Sequence, residues 1–85
     1  MRDSKLNILV TGGAGFLGTF IVKELLDPAC PLNVGLVRIF DLKNPPAFRD
    51  ERVEYFSGDV CNADHVSHAC AGIDLVIHSA AIIDW

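Results

Sequence analysis

The chain has 85 residues, of which 51% are hydrophobic and 21% charged, and it carries a formal net charge of −4. That length makes one small domain or a piece of a larger one, and it buries only about 60% of its unfolded surface. Its scattered Arg and Lys form no basic patch for nucleic acid, no apolar run reaches the roughly 20 residues of a membrane span, and Cys30, Cys61 and Cys70, lacking any C-x-x-C spacing, argue for free thiols rather than a disulfide framework.

Met1–Lys5 shows neither a signal-peptide core nor a transit pattern. The expected location is the cytoplasm, or the cytosolic face of a membrane if a full-length parent has an anchor. Leu6–Val10 reads as a strand buried on both faces, because its apolar residues run on instead of alternating. The strand meets Thr11-Gly12-Gly13-Ala14-Gly15-Phe16-Leu17-Gly18. Gly13-x-Gly15-x-x-Gly18 fits the dinucleotide fingerprint, and Gly12-x-x-Gly15-x-x-Gly18 is its looser relative. Such glycines let the backbone turn sharply and approach a pyrophosphate, which the N–H groups and dipole of the next helix then face. The alternative for the loop alone is a glycine-rich turn with no ligand.

The helix is expected over Gly15–Leu26, with Leu17, Ile21 and Leu25 as its core stripe beside Phe16 and Phe20. Thr19, Lys23 and Asp27 fall on a solvated face, and Asp27-Pro28 ends the helix. Gly18, one turn in, lets helix and strand pack closely. Val34–Phe40 is the second strand, ending at Asp41. Leu42–Arg52, with Pro45-Pro46, is a loop too interrupted for a crossover helix. Val53–Phe56 is a short third strand closed by Ser57-Gly58-Asp59. Asn62 is the expected N-cap of a helix over Ala63–Ala71, with Val66, Ala69, Cys70 and Ile73 facing inward and Gly72 as its stop. Leu75–Ile77 is a fourth strand that runs into His78-Ser79-Ala80-Ala81. Strands alternating with helices imply right-handed crossovers and a parallel sheet. The expected architecture is α/β: half of a doubly wound Rossmann fold, of about four strands in the order 3-2-1-4, with a helix on each face. The outer edge of the fourth strand is expected to lack a partner, which makes self-association possible there.

Asp41 lies 23 residues beyond Gly18, at the carboxyl end of the second strand. A carboxylate there can accept from both hydroxyls of an adenosine ribose and repels a 2′-phosphate, so it favours NAD over NADP. Lys43 nearby counts somewhat the other way, and a strand-end aspartate capping a turn is the plain alternative. Asp59, after the third strand, either accepts from the exocyclic amine of an adenine or stabilises the turn before the next helix. Small residues at Ser79, Ala80 and Ala81 let the backbone lie against ribose and pyrophosphate. His78 either orients that backbone or is an ordinary structural histidine. Cys61, His65, His68 and Cys70 cluster in sequence without the tight pairs of a zinc site. They read as an exposed histidine face with two part-buried thiols, and no metal is expected.

Thr11-Gly12-Gly13-x-Gly15-Phe16-Leu17-Gly18, Phe40-Asp41, Gly58-Asp59-Val60 and Asp74-x-Val76-x-His78-x-Ala80-Ala81 resemble the successive landmarks of the extended short-chain dehydrogenase/reductases. Within them, Val76-Ile77-His78-Ser79-Ala80-Ala81-Ile82-Ile83-Asp84 is most similar to the 3β-hydroxysteroid dehydrogenase/Δ5-4-isomerase family. The resemblance implies that residues 1–85 are an N-terminal NAD-binding segment, cut before the catalytic and substrate-binding parts. Its cofactor residues would be Gly12, Gly13, Gly15, Phe16, Leu17, Gly18, Asp41, Asp59, Val60, Ser79, Ala80 and Ala81. It implies a parent that oxidises a 3β-hydroxyl of a sterol or steroid with NAD, and it leaves open whether that parent also shifts a ring double bond. Members of that superfamily use a tyrosine base with a lysine four residues on. The only tyrosine here is Tyr55, followed four residues on by Asp59, so no catalytic residue is assigned within the segment. The competing readings are another extended short-chain enzyme, such as a sugar-nucleotide epimerase or flavonoid-type reductase, and a nucleotide-binding module without catalysis.

Overall fold

The computed structural model describes residues 4–12, 15–42 and 48–79. The elements run β1 (Leu6–Thr11), α1 (Phe16–Leu26), β2 (Val34–Asp41), β3 (Val53–Ser57), α2 (Ala63–Ala69) and β4 (Leu75–His78). The four strands form one parallel sheet in the order β3-β2-β1-β4. That order follows from the first two connections carrying the chain outward from β1 to β2 and then β3, and the third, through α2, returning it across β1 to β4.

Each sheet face has its own core. On the α1 side, Ile8 and Val10 of β1 and Val34, Val37 and Ile39 of β2 meet Val22 and Leu25. On the α2 side, Leu9, Phe40 and Ala69 pack together, with Phe56, Val60, Val66 and Ile73 against them. Ile8, Leu9 and Val10 are all fully buried, which is why β1 reads as an unbroken apolar run. Each such side chain contributes about 1.5–3 kcal/mol by leaving water. Phe40 sets its ring edge-on to Phe56, with centroids 5.7 Å apart.

The structure corrects the helix faces. Gly18, Val22 and Leu25 are the buried residues of α1, while Phe16, Leu17 and Phe20 are 97%, 57% and 58% exposed. The true stripe is rotated by one residue, because the helix docks through the bare backbone of Gly18, and that contact turns the bulky residues outward. Ile21 and Leu26 pack against the core from its flank. In α2, Cys70 is exposed and serves as C-cap, since the helix stops at Ala69, two residues short of its expected end. Cys61 and Cys70 are both exposed rather than part-buried. Asn62 caps α2 as expected, its side chain accepting from the His65 N–H at 3.1 Å.

Two arginines, Arg38 of β2 and Arg52 just before β3, reach the carbonyl ends of helices. Arg38 faces the α2 side of the sheet, where its Nη1 donates to the carbonyls of Ala69 at 2.6 Å and Ala71 at 2.8 Å. Cationic donors suit the carbonyl end of a helix. Arg52 donates to the Leu26 carbonyl at the end of α1 and pairs with Asp50. Hydrogen bonding from Arg52 holds the Asp50 carboxyl down at about 2. On β4, at one edge of the described sheet, Leu75 and Val76 are exposed. Among the described residues, no helix is long and apolar enough to cross a membrane.

Candidate dinucleotide-binding site

The carboxyl ends of β1, β2 and β3 converge on one cavity of about 140 Å³, lined by Gly12, Phe40, Asp41, Leu42, Gly58, Asp59 and Val60. Backbone bonds between strands build it. Gly12 N–H donates to the Phe40 carbonyl at 2.8 Å, and Gly58 N–H donates to the Asp41 carbonyl at 3.1 Å. Gly12 turns away from β1 with φ 71°, a left-handed conformation that side chains with a Cβ rarely adopt. Gly15 N–H then reaches back to the Gly12 carbonyl at 3.0 Å, which closes the turn and starts α1.

Gly15 is the N-cap of α1 and provides no side-chain hydrogen bond. The first N–H groups of a helix have no carbonyl within that helix to bond. With no capping side chain over them, they suit an anion, and the helix dipole adds to the attraction. Gly12 and Asp41 line the same cavity, close in sequence to the uncapped start of α1. A dinucleotide needs that combination: a carboxylate for ribose hydroxyls, close backbone for pyrophosphate, and a walled pocket for the base.

Of the residues named from sequence, Gly12, Asp41, Asp59 and Val60 come together in the cavity. Gly15 and Gly18 open α1, the latter buried against the sheet, and the side chains of Phe16 and Leu17 point into solvent. Ser79 is drawn to β1 instead: its N–H and Oγ both donate to the Thr11 carbonyl, at 3.1 and 2.5 Å. Gly13, Ala80, Ala81 and Lys43 lie outside the described residues. Asp59 plays the turn-stabilising part weighed for it, because its Oδ1 accepts from the Cys61 N–H at 2.8 Å, and it lines the cavity as well. Sequence reasoning passed over Phe40, Leu42 and Gly58 as cavity walls. Gly58 and Phe40 had a signal, since each stands beside its aspartate in the landmarks Gly58-Asp59-Val60 and Phe40-Asp41; Leu42 had none. Among the described residues, no group of three or more His, Cys, Asp or Glu side chains could hold a metal ion.

A parallel 3-2-1-4 sheet with a glycine turn at its carboxyl ends is the first half of a Rossmann-type nucleotide-binding fold. Residues 9–85 match the 3-beta hydroxysteroid dehydrogenase/isomerase family, and the chain belongs to it. It is 40% identical over 84 residues to 3-beta-hydroxysteroid dehydrogenase of Mycolicibacterium neoaurum, covering 99% of this chain and 22% of that protein. It is 41% identical over 93 aligned residues to human 3 beta-hydroxysteroid dehydrogenase type 7, covering 99% of this chain and 25% of that protein. The chain thus spans about a quarter or less of the length of these relatives. Among solved structures, a mutant of uronate dehydrogenase from Agrobacterium tumefaciens complexed with NAD superposes with a TM-score of 0.75 at 29% identity, over 94% of this chain and 28% of that one.

Proposed function

We propose that residues 1–85 form the NAD-binding segment of an oxidoreductase that acts on a CH–OH group of a sterol or steroid. The cofactor-binding residues in this reading are Gly12, Gly13, Gly15, Phe16, Leu17, Gly18, Asp41, Asp59, Val60, Ser79, Ala80 and Ala81. The observation that carries it is the meeting of Gly12, Asp41 and Asp59 around one cavity at the carboxyl edge of a parallel sheet, in a chain of the hydroxysteroid dehydrogenase family.

Gly12 and the first turn of α1 would hold the pyrophosphate, Asp41 the adenosine ribose, and Asp59 with Val60 the adenine side. Bound NAD would supply the hydride acceptor. Gripping the adenosine half fixes where the nicotinamide can reach, and that positioning is what these residues contribute to the chemistry. A base for the substrate hydroxyl belongs to the rest of a full-length protein in this reading, as does the steroid pocket. For the isolated chain, the exposed edge of β4 is where a second copy would pair, since open strand edges recruit backbone. A chain that sediments as a monomer at all concentrations refutes that pairing.

The test of the main reading is calorimetric titration of the chain with NAD, NADP and AMP. The expected result is binding of NAD and AMP at one shared site, with NADP weaker. Absence of NAD binding by a chain that shows its full helix and strand content by circular dichroism overturns the reading.

A further inference from the structure

Asp59 stands just past the end of β3, on a turn that must keep its shape if the cavity is to keep its wall. Three hydrogen bonds fix it. Its carbonyl accepts from the Asn62 N–H at 2.9 Å, its Oδ1 accepts from the Cys61 N–H at 2.8 Å, and its own N–H donates to His65 Nδ1 at 3.0 Å. The first two are internal to the turn. The third alone ties the turn to a side chain of α2. His65 is itself anchored, because its N–H donates to the Asn62 Oδ1 at the helix cap. Its Cβ also crowds the turn: a methyl group added at Gly58 would lie 3.3 Å from it, with the buried Phe40 ring closing the other side. The Gly58–Val60 wall is therefore gripped between Phe40 from the sheet and His65 from the helix.

We propose that His65 is a positioning residue for an adenine nucleotide, acting through Nδ1 on the main chain of Asp59. The role rests on the nucleotide-binding reading given above. A ring that accepts at Nδ1 carries its proton on Nε2, so this is the neutral imidazole used as a backbone acceptor. With the Asp59 N–H and Oδ1 both engaged, Asp59 Oδ2 has no hydrogen-bond partner among the described residues. That oxygen is the one left to accept from the amine of a base. Without the ring, the Asp59 N–H must find water, and the turn loses the one hydrogen bond that an α2 side chain makes to Asp59 among the described residues.

The experiment uses the 85-residue chain and its His65→Ala, His65→Asn and His68→Ala variants. Asn places its Oδ1 where the imidazole Nδ1 stood, so it restores the acceptor without restoring the ring. His68 lies on the same helix and does not line the cavity. Two readouts are taken: the dissociation constant for NAD by calorimetry, and the exchange rate of the Asp59 amide proton by NMR in the absence of nucleotide. His65→Ala is expected to weaken NAD about three- to tenfold, the effect of one ordinary hydrogen bond, and to speed Asp59 exchange. His65→Asn should recover both to within about twofold, and His68→Ala should move neither. If His65→Ala binds NAD like the unaltered chain, or His65→Asn is as weak as His65→Ala with the fold intact, the positioning role is overturned. If the unaltered chain protects its Asp59 amide but fails to bind NAD, the nucleotide reading itself falls, and the role with it.

Discussion

Thr11 Oγ1 and His78 Nδ1 share a hydrogen bond of 2.6 Å across the carboxyl ends of β1 and β4. The two residues are paired in the strand register, and Thr11 is buried. Beside them, Ser79 donates twice to the Thr11 carbonyl. The last residue of β1 is therefore latched to β4 one position before the glycine turn begins. His78→Ala should cost about 1 kcal/mol, the net value of one such bond, and more if the buried hydroxyl finds no water. Urea unfolding of the variant checks this, and an unchanged midpoint would show that the latch contributes nothing to stability.

Asp41 should decide between the two dinucleotides. It lines the cavity at the end of β2, where a carboxylate attracts ribose hydroxyls and repels a 2′-phosphate. Asp41→Ser is expected to weaken NAD by one to two decades, which corresponds to roughly 1.5–3 kcal/mol for a charge-assisted hydrogen bond. NADP should lose less or gain. Titration of both cofactors against the variant gives the ratio directly, and an unaltered ratio removes Asp41 from the ribose.

Two glycines of the site should respond in opposite ways. A Cβ at Gly58 would run into the buried ring of Phe40, so Gly58→Ala should destabilise the fold by about 1–3 kcal/mol through overpacking. At Gly15 the nearest atom to an added Cβ is the Gly12 carbonyl oxygen at 3.4 Å, an ordinary contact. Gly15→Val should therefore keep the fold while its branched side chain obstructs the approach of a pyrophosphate. Thermal melts and NAD titration of the pair separate the effects; a Gly15→Val chain that binds NAD normally contradicts the loop assignment.

Stability should also fall in acid through Asp50. Its folded pKa of about 2 lies below the ordinary value of 3.8 because Arg52 donates to it. A depressed carboxylate contributes stability that is complete above the unfolded value and is lost as pH falls through the folded one. The window is thus from about pH 4 down to about pH 2. Both side chains are partly open to water, so screening limits the contribution to about 1 kcal/mol or less. Comparing Asp50→Asn with the unaltered chain at pH 6 and pH 2.5 isolates it: the gap in unfolding free energy should shrink at the lower pH.

Strand existence and order were legible in sequence because they depend on features that sequence displays: unbroken apolar runs at Ile8–Val10, glycines after them, and alternation with helical segments. Asp41 and Asp59 were legible because strand ends are marked by the end of the apolar run. The buried face of α1 was not. Gly18 was legible as a close-packing position and is buried, but periodicity weights large apolar residues, so Phe16, Leu17 and Phe20 took the place on the core stripe that Val22 holds. The reach of Arg38 to the end of α2 and of His65 to the Asp59 turn was equally hidden. Both are contacts between side chains and distant backbone, and no spacing rule along one element encodes them.

The last expectation concerns chemistry. The chain alone should not oxidise a 3β-hydroxysteroid, even with saturating NAD. Hydride transfer from a secondary alcohol needs a base for the hydroxyl proton, and such help typically contributes ~10²–10⁴ in rate. Tyr55 cannot supply it. Its hydroxyl accepts from the Phe48 N–H at 2.9 Å, it sits on β3 at the far edge of the sheet from β4, and Asp59 rather than lysine follows four residues on. His78 stands at the right edge of the sheet, but its Nδ1 is occupied by Thr11. The cavity residues hold the adenosine end in the proposed reading, so the reacting carbon would also lack the orientation that makes up much of a dehydrogenase's rate. NADH fluorescence from purified chain, NAD and a 3β-hydroxysteroid should stay at the buffer blank. Turnover above that blank which disappears in His78→Ala would place the base on β4 and require a catalytic assignment inside these 85 residues.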